Sequence, residues 1–349
     1  MMAESARAEA GGRLALVVGS NRATRAEARA LGWTLTTLGW SVAPILLGSP
    51  VSQRVLAGRI AATRADVALI RDDQATRLEL ATWRRLEAVG IPIVGGGAAL
   101  AALGASAGLA GRARLLTMLR AAGLPTPSWL RPSPRAELVF DLDTSASAAT
   151  AWLVRRASSS DDPLADAGDP EPCRNLERAY EMVARWGGDW LIEEFIEGRE
   201  FQIAWSPEAS SERLWTVGEL VHHQLQAHPD AWSQPGPWAL RTQRARRFPG
   251  ALEDRSSRWI CPAVVEDDQA RMLKRLTEAA ARAVGCVDPA LVTIRWDRSG
   301  HPRVVGVDLR PDLGPGSVWA RLVRASGLSY RSALSRLLNR RRGANRHAA

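Results

Sequence analysis

Two stretches of this chain carry side chains whose types and spacing could do chemistry. Residues 191–204 read LIEEFIEGREFQIA, a strand that turns at Gly198 and resumes. Glu193 and Glu200 flank an apolar step, Phe195-Ile196, whose backbone is free to meet a flat heterocycle. Backbone groups on a base edge and a carboxylate on sugar hydroxyls would suit adenine plus ribose, although an ordinary β-hairpin explains the pattern at least as well. The second stretch, residues 304–317, reads VVGVDLRPDLGPGS. A short apolar strand there delivers one carboxylate, Asp308, to the edge of a Pro/Gly-rich loop, a place where an acid could rim an active site.

The elements that must position these residues follow from hydrophobic periodicity. LALVVGS (residues 14–20) is a continuous apolar run ending in Gly-Ser, as expected of a strand buried on both faces. An Ala/Arg-rich helix over 25–38 follows, then strands at SVAPILLG, DVALIRD and IPIVGGG, a β-α-β rhythm that implies an open parallel sheet. A helix over 109–122 is stopped by GLPTPSW, where Gly123 can cap it and Pro125 and Pro127 forbid its continuation. AWLVRR (151–156) and DWLIEEFI (189–196) read as strands around a helix over 176–186. FQIAWS and RLWTVGELV resemble antiparallel strands. An amphipathic helix over 266–284, the strands ALVTIRWD and PRVVGVD, and a last helix complete the chain. The fold class is therefore α/β, and the final NRRRGANRHAA is expected to be disordered.

Composition narrows the function classes. The chain has 349 residues, ordinary hydrophobic (46%) and charged (24%) fractions, and a formal charge of +9. Arginine is spread along the whole length with no dense block before Arg340 to Arg342, and no aromatic-basic recognition motif accompanies it. A solvated basic surface is expected, with no specific nucleic-acid partner. No apolar run is long enough to span a bilayer and no secretory pattern opens the sequence, so a cytoplasmic protein is expected. Cys173, Cys261 and Cys286 form neither a disulfide framework nor a zinc site by spacing. His222, His223 and His228 lack a second ligand cluster, and the glycines at 95–97 more simply permit a strand-end turn than cradle a phosphate. Of 46 basic residues only Lys274 is lysine, so any task that needs a cation falls to arginine.

The order VVGS, IPIVGGGAALAAL, LRAAGLPTPSW, LIEEFIEGREF, a CPA segment, a helix ending in GC, and VVGVDLRPDLGPGSVWARLVRASGLSY resembles the D-alanine–D-alanine ligase family of the ATP-grasp superfamily. The match runs over nearly the whole chain and is densest at AAGLPTP, EEFIEGRE and ASGLSY. The resemblance implies an ATP-grasp fold in three parts: an N-terminal α/β unit (1–102), a central subdomain (103–196) and a C-terminal subdomain with a basic tail (197–349). It implies ATP held between the last two parts, Mg²⁺, formation of an acyl phosphate on one D-alanine, and attack by the amine of a second. It also implies a homodimer.

Carried over residue by residue, the resemblance puts Glu193 against the adenine amino group, Phe195 and Ile196 against the ring, and Glu200 on the ribose. At the triphosphate, Arg112 and Arg155 stand where the family has lysines, and a guanidinium fork is not an equivalent point charge. The loop Ser158 to Ser160 leads into Asp161 and Asp162, which would repel phosphate, and Arg246 and Arg247 are the nearest substitutes for a lid lysine. At the metal positions the family's Asp, Glu and Asn become Thr293, Gly306 and Asp308, so Asp308 is left to hold one Mg²⁺ at most. Thr24 replaces a glutamate that meets the first substrate, with Glu27 one turn on, and Leu291 replaces an oxyanion arginine. Ser317 is kept near the second substrate. The implied activity is accordingly weakened, redirected or lost; the alternative is a non-catalytic homologue acting as a nucleotide sensor or as a partner subunit.

Overall fold

The computed structural model describes residues 11–18, 22–47, 52–71, 85–95, 109–132, 138–141, 151–156, 170–207, 216–222, 238–240, 255 and 257–346. The first sheet contains β1 (Arg13–Val18), β2 (Ser41–Leu46), β3 (Val67–Arg71) and β4 (Ile93–Val94), parallel and in the order β2-β1-β3-β4. Helices α1 (Arg22–Thr37) and α2 (Gln53–Ala62) make the crossovers. Leu14, Leu16 and Val18 pack on the α1 side with Leu31 and Leu35, while Ala15 and Val17 pack on the α2 side with Leu56 and Ile60. Burial on both faces is why β1 reads as an unbroken apolar run rather than an alternation.

The second sheet is antiparallel, in the order β6-β5-β9-β7-β8. Its strands are β5 (Trp129–Pro132), β6 (Leu138–Asp141), β7 (Trp152–Arg156), β8 (Glu171–Cys173) and β9 (Trp190–Glu194). Before it comes α3 (Leu109–Ala121), and α4 (Leu176–Trp186) covers one face, where Trp152, Val154 and Ile192 pack on Ala179 and Val183. The alternate residues, Leu153, Arg155, Leu191 and Glu193, therefore share the opposite face.

The third sheet runs β12-β11-β10-β13-β14, also antiparallel: β10 (Gly198–Trp205), β11 (Val217–His222), β12 (Ser257–Ile260), β13 (Ala290–Asp297) and β14 (Pro302–Asp308). Helix α5 (Asp267–Ala283) begins at a Glu266–Gln269 capping box and lays Leu273 and Ala280 on Phe201, Ile203, Val292, Ile294 and Val304. α3 joins the two antiparallel sheets. Its Leu115 and Leu119 enter the third sheet's core, and its Leu109, Ala113 and Leu116 pack on Trp129 and Leu191 of the second.

The expected disorder of the tail is corrected. α6 (Val318–Ala325) and α7 (Tyr330–Arg346) return to the first sheet, burying Trp319, Leu322, Leu334, Leu337 and Leu338 against Leu14, Leu16, Leu31 and Leu35. Arg341 Nε donates to the buried Asp288 carboxylate at 2.6 Å, and Arg340 donates to Val287 O at 2.8 Å. These long-range anchors hold a polar helix end that local composition would leave in solvent. No helix among the described residues is long and apolar enough to cross a membrane.

Candidate nucleotide cleft

The second and third sheets are joined by residues 195–197, which run from β9 into β10. Gly198 takes φ +150, and a Cβ there would come within 1.9 Å of Trp296 O, so the strand can resume only at a glycine. The expected strand over 189–196 stops earlier, at Glu194. Phe195 N–H donates sideways to Ala151 O at 2.9 Å, and the chain then leaves the sheet.

On one side of this hinge the second sheet presents Glu193, whose side chain is 3% exposed. Arg112, from the first turn of α3, donates through Nε at 3.0 Å to one carboxylate oxygen and through Nη2 to the other. Arg155, on β7, donates Nε to the same carboxylate at 3.3 Å. Burial alone would raise the Glu193 pKa, but the charges and hydrogen bonds of Arg112 and Arg155 outweigh it and hold the group below its ordinary value. The two arginines expected at the triphosphate and the carboxylate expected at adenine thus form one ion cluster.

On the other side the third sheet presents a polar face, set by cross-strand register: Glu200 opposite Arg295, Gln202 opposite Thr293, Thr293 opposite Gly306, and Leu291 opposite Asp308. Arg295, 4% exposed, sits in a strand with no local motif to mark it. Its Nη2 donates to Glu200 and to Ala239 O, its Nη1 donates to Ile196 O at 3.0 Å, and its guanidinium lies 4.8 Å from the Phe195 ring centroid. Trp238 also packs on Phe195, tilted, with ring centroids 5.3 Å apart. Burial would raise the Glu200 pKa, but Arg295, with His222 nearby, brings it down to about 2. His222 Nε2 is 3.9 Å from the carboxylate, longer than a direct hydrogen bond.

The positions at which the resemblance expects metal do not fit a two-magnesium centre, which asks for oxygen ligands anchored by carboxylates. Thr293 Oγ1 accepts from Gln202 Nε2 at 3.2 Å, and Gly306 offers no side chain. A Cβ on Gly306 would lie 3.6 Å from Arg112 Nη1, so the neighbour of that position is a cation. Asp308 is exposed at the end of β14, and its Oδ1 accepts from Arg310 N–H at 2.9 Å, which fixes the turn into the Pro/Gly loop. Among the described residues no group of three or more His, Cys, Asp or Glu side chains could hold a metal ion.

The remaining positions separate from this cluster. Ser317 is the N-cap of α6, 8% exposed, and its Oγ accepts from Ala320 N–H at 3.1 Å. Leu291 is buried in the apolar cluster shared with the first sheet and α6. Glu27 is exposed on α1. The side chain of Thr24, and residues Ser158 to Asp162, His223, His228, Arg246 and Arg247, lie outside the described residues. The three cysteines are free, and burial pushes the Cys173 thiol up to about 11 and the Cys286 thiol up to about 12. The signal that could have found Arg295 and Gln202 is parity: each alternates with an apolar core residue and so shares a face with Glu200 or Thr293.

The D-ala D-ala ligase C-terminus family model matches residues 171–339. The uncharacterized protein y4sG of Sinorhizobium fredii is 26% identical over 223 residues, 64% of this chain and 60% of that protein, so the match spans less than two thirds of the relative. The D-alanine–D-alanine ligase of Bordetella pertussis is 26% identical over 254 residues, 70% of this chain and 68% of the ligase. The solved structure of D-alanine–D-alanine ligase from Bacillus anthracis complexed with ATP is similar with TM-score 0.66 and 15% identity, covering 97% of this chain and 100% of that one. D-alanyl-alanine synthetase A from Vibrio cholerae gives TM-score 0.65 and 12% identity, covering 95% of this chain and 99% of that one. At such identities the structures establish the fold, and the sequence matches establish a likeness. Residues 171–339 match the ligase C-terminal family, and the chain has the ATP-grasp fold of the D-alanine–D-alanine ligases that it resembles.

Proposed function

We propose that this chain is an ATP-grasp carboxylate–amine ligase homologue in which the acyl-phosphate step is lost or severely weakened. One observation carries the reading: the Thr293–Gly306 pair has Arg112 beside it and no carboxylate, at the place where phosphoryl transfer needs dications. Transfer of a phosphoryl group relies on positioning and charge neutralisation rather than on covalent help from the protein. Losing one metal removes several kcal/mol of transition-state stabilisation, or on the order of thousands-fold in rate.

In a surviving ligase of this design, ATP would lie between the second and third sheets, and Asp308 would hold a single Mg²⁺ to polarise the transferring group. Arg112 and Arg155 would have to leave Glu193 to meet phosphate, and Ser317 would stand near the amine substrate. Each arginine would exchange a buried carboxylate partner for an anion on the ligand. That exchange opposes nucleotide entry and adds to the loss of the metals.

A second reading, a non-catalytic homologue serving as a partner subunit, is favoured by one further feature. The carboxylates on both sides of the hinge, Glu193 and Glu200, are paired with the chain's own arginines. A phosphate-release assay with Mg-ATP across D- and L-amino acids tests the main reading. Release no faster than the ATP-only blank is expected. Dipeptide formation at ordinary ligase rates would sink it, and release with an acid other than D-alanine would identify a redirected ligase.

A further inference from the structure

We propose that Arg295 is a resident side-chain occupant of the nucleoside end of this cleft, and that it excludes adenosine from the wild-type protein. The inference deepens the functional reading above and rests on its identification of the cleft as the ATP-grasp nucleotide site. A nucleoside needs three things at residues 193–200: main-chain polar groups at the hinge for its base edge, an aromatic or apolar wall for its ring face, and a carboxylate for its sugar hydroxyls.

Arg295 takes all three. Its Nη1 donates to Ile196 O at 3.0 Å, its planar guanidinium stacks 4.8 Å from the Phe195 centroid, and its Nη2 donates to Glu200. A further bond from Nη2 to Ala239 O ties the residues beside Trp238 to the same group. The guanidinium is itself flat, polar at its edge and stackable on its face, so it satisfies the site with the chemistry a purine would bring. It is only 4% exposed, and with Trp238 also packed on Phe195 the ring has its aromatic and cationic neighbours supplied by the chain itself.

Displacing it would strand a buried cation and a buried carboxylate, and breaking such a pair is strongly unfavourable. A ligand must recover that loss before gaining any net affinity. Conversely, a residue that cannot donate or carry charge at this position frees Ile196 O, Glu200 and one face of Phe195 together. The hinge carbonyl and the carboxylate would then be available as they stand.

The experiment is isothermal titration of adenosine and of ATP, each with and without Mg²⁺, into wild-type protein and Arg295→Met. The wild-type protein is expected to show no adenosine binding up to about 1 mM, and the variant to bind at least about tenfold more tightly. Arg295→Met/Glu200→Gln removes the orphaned charge and serves if the single variant fails to fold, since the glutamine can still accept from a sugar hydroxyl. Tight adenosine binding by the wild type, or no binding by a folded Met variant, overturns the proposal. The wild-type arm decides by itself if neither variant folds: binding refutes occupancy, and silence upholds it. ATP bound tightly by the wild type but not hydrolysed sinks the occupancy of the cleft and leaves the loss of catalysis standing. Turnover of ATP sinks both.

Discussion

Thr293 and Gly306 stand opposite one another across the β13–β14 ladder, and the guanidinium of Arg112 overhangs the glycine with Nη1 3.6 Å from where a Cβ would lie. That distance is ordinary contact, so a Cβ can be added there without moving backbone. A Gly306→Glu substitution is therefore expected to fold and to pair its carboxylate with Arg112, which caps its contribution to stability at about 1 kcal/mol. It is expected to produce no magnesium-dependent phosphate release even when combined with Thr293→Asp. Urea unfolding and a phosphate assay check this, and turnover in the double variant would mean that the cation gives way to metal.

Glu193 is a buried anion shared by two arginines, so removing its charge takes from Arg112 and Arg155 the counterion they share in a site largely closed to water. Glu193→Gln is expected to destabilise the fold by roughly 3–5 kcal/mol. Adding Arg112→Met should restore part of that loss, because the residual cation Arg155 is more exposed. A loss under about 1 kcal/mol in the single variant would show that solvent already screens the cluster.

Acid should weaken the protein through these same groups. The Glu200 carboxyl, held at about 2 against an ordinary 4.5, contributes stability that is complete above pH 4.5 and is lost as the pH falls toward 2. Glu193 acts in the same direction, with its loss likewise beginning below 4.5. The Glu200 contribution is on the order of 3 kcal/mol by proton linkage. Chemical denaturation at pH 7, 4 and 3 is expected to show a falling midpoint, with a shallower fall in Glu200→Gln. Equal slopes for the two proteins would remove Glu200 from the account.

Ser317 holds a helix start, and this role makes a prediction separable from any substrate contact. Ser317→Ala loses the bond to Ala320 N–H and is expected to cost about 1 kcal/mol, while Ser317→Asp, also a strong N-cap, should restore most of it. Thermal unfolding distinguishes them. Identical midpoints for the wild type and the Ser317→Ala variant would show that the cap adds nothing.

Legibility in the sequence followed the range of the interactions. β1 was readable because both of its faces are buried, and the helix over 176–186 because a helix is closed by bonds within its own turns. Glu193 and Glu200 stood out because strand alternation and the Gly198 turn mark them within ten residues. Arg295 did not: its partners Ile196, Glu200 and Ala239 are remote in sequence, and ALVTIRWD alone describes an ordinary half-buried strand. The tail misled for the same reason, since a composition of Arg, Asn and Gly says nothing about Asp288, which anchors Arg341 from 53 positions away. α3 sits in the sequence beside the second sheet, yet its Leu115 and Leu119 serve the third, because only packing reveals which side a helix turns inward.

The return of α6 and α7 to the first sheet has a consequence for how the chain is made. Leu14, Leu16, Leu31 and Leu35 find covering partners in Trp319, Leu322, Leu334 and Leu337. During synthesis that flank of the first sheet stays uncovered until Trp319 to Leu338 have left the ribosome. The sheet is thus translated well before it can be sealed, and in the interval its leucines are a surface on which partly made chains can aggregate.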